Sequence, residues 1–340
     1  MECTEFFKKK ITVMNGVMCV LVVILHSYNM ERYLQPGRFV QVLETLMSRT
    51  IANIAVPMFF FMSAILFFQN YDLKSTPKKF KSRCISCLVP YVVWNILYYI
   101  VFIILVKCPL SNEFMETKEV TINMKQIWEA IVWHKYNGAF WFIAFLMVYI
   151  LVSPLIYIVI RKKVGILSVF FLVFFNMMYN GLFSYELIYW ILGGWLIIHK
   201  KEILYHKSKY SLNYLIGAVI VVAIRYCYEY IKPISYSQII SGLLLIINVV
   251  LVWFGIDVCR DLKEKNWMKK SFFIYALHPL IVDMIKKGCT AFLPDNGFSA
   301  MIVYGVSICG GIMICVLVAE ILSRYSPHIY WILSGGRIKR

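Results

Sequence analysis

The sequence predicts an all-α, polytopic membrane helix bundle of about ten transmembrane helices. Three observations carry that prediction. The 340 residues are 61% hydrophobic, with a mean hydropathy of +0.71, and only 16% are charged; a soluble domain carries roughly 25% charged residues. Uncharged apolar runs recur at about the length, ~20 residues, that crosses a hydrocarbon core. The basic residues then alternate in density from one loop to the next.

The first span is Ile11–Met30, introduced by Lys8–Lys10. A basic start before an apolar run also opens a signal peptide. No small-x-small cleavage pattern follows it, so the segment is read as a retained first helix. Thr50–Tyr71, Cys84–Val106, Tyr136–Ile160 and Val164–Tyr185 follow as spans two to five. The sixth, Leu187–Ile198, is short and holds Gly193-Gly194, and the seventh, Tyr210–Ile231, carries Arg225 and Glu229. Pro233–Ile256 is the eighth, and Ser271–Gly288 is the ninth, with Asp283, Lys286 and Lys287 inside it. Asn296–Ala319 is the tenth. Within Lys107–Lys135, the stretch Ile122–His134 reads as an interfacial amphipathic helix through Ile127, Trp128, Ile131 and Trp133. That segment also holds Glu113, Glu116, Glu119 and Glu129, and it is too short for a separate catalytic domain.

With the N-terminus inside, the inner segments collect Lys8–Lys10, then Lys74, Lys78, Lys79, Lys81 and Arg83, then Arg161–Lys163. They also hold Lys200, Lys201, Lys207, Lys209, Arg260, Lys263, Lys265, Lys269, Lys270, Arg324, Arg337, Lys339 and Arg340, which makes 24 of the 35 basic residues. An even number of spans returns the C-terminus to the inside, and both termini are expected in the cytoplasm. The net charge of +17 is therefore a topology signal, and no nucleic-acid partner is expected. The ten cysteines form no dense framework; Cys84 and Cys87 have CxxC spacing but no second pair or His partners, so no metal site is expected.

Ionisable groups inside spans are costly and mark function by default. His26, in the first span, is suited by its near-neutral pKa to taking a proton from a hydroxyl, or it is a structural hydrogen-bonding residue. His278, before Pro279, is a second buried imidazole. Pro279 has no N–H and frees a carbonyl one turn back, which suits a helix break beside a cavity or a kink with a satisfied His. Arg225 and Glu229, spaced i, i+4, are expected to neutralise each other. Glu186 either lines an outer vestibule or sits at the interface. His134, His199, His206 and His328 fall at loops or helix ends, where solvated roles are expected. Arg83 adjoins the start of the third span, beyond Lys78, Lys79 and Lys81. Because arginine holds phosphate bidentately, a phosphorylated cytosolic donor such as a coenzyme A thioester fits there.

Five segments, in order, resemble the acyltransferase-3 family of integral membrane O-acyltransferases. Asn15–Tyr28 resembles its first helix, with the histidine, and Val56–Phe67 (VPMFFFMSAILF) resembles its VPxFFxxSGxLF pattern. Lys79–Asn95, with Arg83, Pro90-Tyr91 and Trp94-Asn95, is similar to its basic third-helix start and PY..WN, and Phe140-Trp141-Phe142 and Ser271–Pro279 resemble its WF and SFxIYxxHP stretches. The resemblance implies a single membrane-embedded acyltransferase domain over residues 1–340. It further implies transfer of an acyl group, often acetyl, from cytoplasmic acyl-CoA to a hydroxyl of a surface or cell-envelope glycan, free or lipid-linked. His26 corresponds to the catalytic histidine, Arg83 and Lys79 to donor binding, and Asn15, His278, Glu186 and Trp141 are candidate pocket-lining residues. No permanently bound cofactor is implied; acyl-CoA is a co-substrate. Asn15 stands where many members carry Arg, Pro36 where many carry an acid, and Ser86 where a second basic residue is often found. Glu31 and Glu44 are the nearest acids to His26. The competing readings are a transporter or flippase, for which paired broken helices would be the sign, and an inactive member serving as a subunit.

Overall fold

The computed structural model of the chain describes residues 2–33, 37–107, 120–178, 185–231, 237–259 and 263–337. Its α-helices are α1 (Glu2–Ser27), α2 (Arg38–Glu44), α3 (Ala55–Phe68), α4 (Thr76–Arg83), α5 (Val89–Val106), α6 (Met124–Val132), α7 (Trp141–Ile160), α8 (Leu167–Met178), α9 (Glu186–His199), α10 (Lys201–Tyr205), α11 (Ser211–Tyr226), α12 (Ser237–Gly255), α13 (Ser271–Phe292), α14 (Gly297–Tyr325) and α15 (Pro327–Leu333). No strand occurs among the described residues, as expected where a lipid solvent offers the backbone no hydrogen bonds.

Among the described residues, seven helical stretches are long and apolar enough to cross a membrane: Glu5–Arg32, Arg38–Phe68, Leu73–Val106, Gly138–Ile160, Ser211–Tyr230, Ile240–Val258 and Gly297–Tyr325. The expected ten are not reached by this measure. Helix α9 has 14 residues, a rise of about 21 Å, short of the ~30 Å hydrocarbon core. Helix α8 has 12 residues and is followed by residues 179–184, outside the described set. Helix α13 is long enough at 22 residues, but it carries Asp283, Lys286 and Lys287. Prolines shape several spans. Pro57 lies in the first turn of α3, after a π-helical stretch (Thr45–Ile51) and a 3-10 turn (Ala52–Ile54). Pro90 lies in the first turn of α5, directly after the π-turn Cys84–Leu88. Each proline lacks the N–H that would continue the ladder, and the looser or tighter turn absorbs the defect.

Contacts divide the chain into two compact units. The first comprises residues 1–22, 46–77 and 149–269. There α3 packs on α9, and α11 on α12. The α3–α9 contact is backbone on backbone, because a Cβ at Gly193 would lie 2.4 Å from the Phe61 carbonyl oxygen; small residues permit this approach between membrane helices. Phe61, Phe67, Phe68, Trp190 and Trp253 fill the surrounding core. Inside it, Lys10 and Asp257 form an ion pair at 2.8 Å with both side chains fully buried, and Lys10 Nζ also lies 4.5 Å from the Trp253 ring centroid. Lys10 is thus a packed ion-pair partner as well as part of a basic flank. Arg225 meets Glu229 as expected, at 3.3 Å, and also donates to Ser241 Oγ and the Thr50 carbonyl.

The second unit comprises residues 23–45, 78–148 and 270–340. Here α13 packs along α14, α14 also meets α2, and α5 meets α6 and α15. Helix α6 is the expected amphipathic segment, shorter than Ile122–His134 at both ends. Asn123 caps it by accepting from the Gln126 N–H at 2.8 Å, and Trp128 and Trp133 are exposed. Glu113, Glu116 and Glu119 lie outside the described residues. The expectation of solvated histidines needs correcting at two positions. His134 is half-buried beside the Tyr91 hydroxyl (3.5 Å), and in the first unit His199 donates through Nε2 to the Ile160 carbonyl at 2.8 Å. Each ends a helix where a neighbouring polar group was within reach.

Candidate active site

Helix α13 is opened at Pro279, and two side chains from the same unit repair it. Pro279 has no N–H to donate to the Tyr275 carbonyl one turn back. His278 Nδ1 takes that carbonyl at 2.7 Å. One residue on, Tyr98 inserts its hydroxyl into the ladder, donating to the Ala276 carbonyl at 2.9 Å and accepting from the Leu280 N–H at 3.3 Å. A carbonyl can only accept, so Nδ1 of His278 carries a proton, and the neutral ring presents Nε2 as a lone-pair acceptor. Nε2 is buried and has no hydrogen-bond partner. A buried polar atom left in that state is costly, and a catalytic role is one of the reasons such an atom is kept.

His26 stands edge-on to His278, with ring centroids 4.9 Å apart. It lies in the last turn of α1 and is half-buried. The end of that helix is fixed by polar contacts. Lys286 Nζ donates to the His26 carbonyl at 2.8 Å, placing a cation where helix carbonyls run out of partners. Ser27 Oγ donates to the Val23 carbonyl. The Asn29 N–H donates to Glu44 Oε2 at 3.0 Å, and Asn29 Nδ2 donates to the Ala300 carbonyl at 3.0 Å. Glu44 is fully buried, and it positions the backbone just beyond His26. Asp283 pairs with Arg32 at 3.1 Å and Lys287 at 2.9 Å, which accounts for two of the three charges that make α13 too polar for a simple span.

Elsewhere in the unit, Lys79 and Arg83 lie one turn apart on α4, both half-buried. Arg337 is a third cation whose charge interacts with that of Arg83. Its guanidinium stacks over Phe272, 3.7 Å from the ring centroid, while the residue as a whole stays exposed. Trp141 begins α7 and packs its edge on Phe145. Asn15 and Glu186 are half-buried residues of the first unit, on α1 and at the start of α9. The structure therefore joins His26 to His278. Pro36 lies outside the described residues.

Sequence reading missed Tyr98, Asn29 and Arg337 as parts of these clusters. The contacts of Tyr98 and Asn29 join residues 178 and 271 positions apart, which no local pattern encodes. Pro279 was the usable signal, since the carbonyl it frees is the one that His278 binds.

An imidazole pair in a helical membrane domain suits proton transfer to or from a hydroxyl. No curated protein and no solved structure matches the chain. A family model described as an acyltransferase domain matches residues 9–321. That match takes in His26, Arg83 and His278 and spans nearly the whole sequence, and by it the chain belongs to the acyltransferase-3 family of membrane acyltransferases.

Proposed function

We propose that the protein transfers an acyl group, acetyl by preference, from cytoplasmic acyl-CoA to a hydroxyl of a surface or cell-envelope glycan. The observation that carries this reading is the His26–His278 pair, 4.9 Å apart at the ring centroids, with Nε2 of His278 buried and unpartnered. In this reading His26 takes the proton of the acceptor hydroxyl as the hydroxyl oxygen attacks the thioester carbonyl, and the lone pair of His278 Nε2 faces the imidazolium that His26 becomes. The new C–O bond forms, the C–S bond breaks, and the coenzyme A thiolate leaves with a proton returned from the His26 imidazolium. The donor's phosphates lie with Arg83 and Lys79, whose fork and point charge suit them. The bundle sits in the cytoplasmic membrane with both termini inside, which brings the basic flank to the donor side.

The test is transfer of label from acetyl-CoA in membranes that hold the native glycan, with products identified by mass spectrometry. Wild type is expected to label a surface glycan. His26→Ala, inserted at the same level, is expected to lose at least about 10²-fold in rate, the low end of general-base catalysis. Undiminished labelling by His26→Ala would overturn the role of His26, and a labelled product other than a glycan would overturn the acceptor.

A further inference from the structure

After α15 the chain turns through Gly335 and Gly336, whose φ angles are +67° and +68°, a left-handed conformation that glycine adopts without a Cβ penalty. Gly335 N–H bonds back to the Ile332 carbonyl and Gly336 N–H to the Trp331 carbonyl. The turn is pressed against the helix pair α4–α5. Trp94 Nε1 on α5 donates to the Leu333 carbonyl at 3.0 Å, and a Cβ at Gly335 would lie 2.6 Å from the Ser86 carbonyl oxygen. Ser86 sits in the π-turn Cys84–Leu88, one turn before Pro90, so a backbone already opened by proline receives the tail.

Arg337 follows directly. It donates from Nη1 to the Ser334 carbonyl at 2.7 Å and stacks on Phe272, which fixes the plane of its fork. No carboxylate among the described residues pairs with it; the charge that acts on it is Arg83, another cation, with the Cys87 thiol beside it. The turn that sets Gly335 against the Ser86 carbonyl brings Arg337, itself exposed, to the segment one turn beyond Arg83, and an anion placed there is attracted by both cations. Arginine forks match phosphate oxygens bidentately.

We propose that Arg337, carried by this turn, is a binding residue that forms with Arg83 a site for a phosphate group, occupied by the nucleotide phosphate of the acyl donor. The inference rests on the donor named above. A phosphate-bearing lipid headgroup has the same chemistry, and the experiment separates the two sources.

Full-length protein is placed in nanodiscs of phosphatidylcholine, and coenzyme A binding is measured for wild type, Arg337→Gln and Arg337→Lys. Thermal unfolding of each serves as the folding control. Wild type is expected to bind, Arg337→Gln to bind about 10- to 100-fold more weakly, in keeping with loss of a charge-assisted hydrogen-bond pair, and Arg337→Lys to fall between. If Arg337→Gln does not fold, Arg337→Lys carries the test: it keeps the charge and loses the fork, so affinity equal to wild type would overturn the bidentate site. Equal coenzyme A affinity in wild type and a folded Arg337→Gln overturns the Arg337 site and leaves the donor reading standing. No coenzyme A binding, with Arg337-dependent binding of phosphatidylglycerol added to the nanodiscs, overturns the donor reading and makes the site a lipid site. Binding of neither probe overturns both.

Discussion

His278 does two separable things, and one substitution parts them. Its Nδ1–H holds the Tyr275 carbonyl that Pro279 leaves free, while Nε2 is buried without a partner. Asparagine reproduces the first function, because its amide N–H sits near the position of Nδ1, and it abolishes the second. His278→Asn should therefore leave stability nearly unchanged, within about 1 kcal/mol, since a neutral hydrogen bond of that order is kept. His278→Leu strands the Tyr275 carbonyl in a buried helix and should cost about 1–3 kcal/mol. If Nε2 accepts from the imidazolium that His26 becomes, the bond it makes in the transition state contributes a similar 1–3 kcal/mol, and its loss should slow transfer about 5- to 150-fold. The assay is initial-rate acyl transfer beside thermal unfolding in the same detergent. A folded His278→Asn that works at the wild-type rate would refute the reasoning, and the ring would then serve only the kink. A large loss of stability in His278→Asn would refute the assignment of the proton to Nδ1.

Two further outcomes follow from the charges. Lys10 and Asp257 attract by about 6 kcal/mol at an effective dielectric of ~20, given their 2.8 Å separation, and desolvation offsets much of it. Lys10→Met, which leaves Asp257 buried and alone, should cost about 3–5 kcal/mol, whereas Lys10→Met with Asp257→Leu should cost far less; equal losses in the single and double variants, read by thermal unfolding, would show the pair uncoupled. His134 is held below the ordinary imidazole value of 6.5 by burial, so its unfolded form binds protons more readily than its folded form. Its contribution is complete above pH ~6.5 and declines as pH falls below that toward the lowered folded value. Protection of the Met124–Val132 amides, taken relative to the base-catalysed intrinsic exchange rate, should fall on acidification from pH 7 to 5.5, and His134→Gln should flatten that dependence.

Much of the fold was legible because length and hydropathy are imposed by the bilayer itself. Each expected segment contains a helix, and the count of ten fails where other demands enter. Ser271–Gly288 carries charges that form the Arg32–Asp283–Lys287 network and the Lys286 bond to His26. Leu187–Ile198 lies within the 14-residue helix Glu186–His199, too short to count as a span, whose Gly193 allows a backbone contact with Phe61. Of the residues singled out from the sequence, His26 and His278 meet in the structure; both stood out as ionisable groups inside apolar spans, His278 beside its proline. Lys10 was misread in part, because a lysine beside an apolar run looks alike whether it faces headgroups or a buried Asp257 distant in sequence. Arg337 left no trace, since nothing local distinguishes it from the other basic residues counted as topology.

The prolines connect these outcomes. In a membrane span a proline leaves a carbonyl that water cannot reach, so a side chain or another segment must come to it, or the local turn must change. At Pro279 the answer is His278 on Tyr275 and Tyr98 on Ala276 and Leu280. At Pro90 it is a π-turn against which the Gly335 turn is pressed, bringing Arg337 toward Arg83. Backbone repair therefore gathers polar groups at two places in this unit. Titratable side chains recruited to mend a helix arrive with one face committed and another uncommitted. In this chain the uncommitted faces are Nε2 of His278 and the remaining donors of Arg337, which is why chemistry is assigned to those atoms.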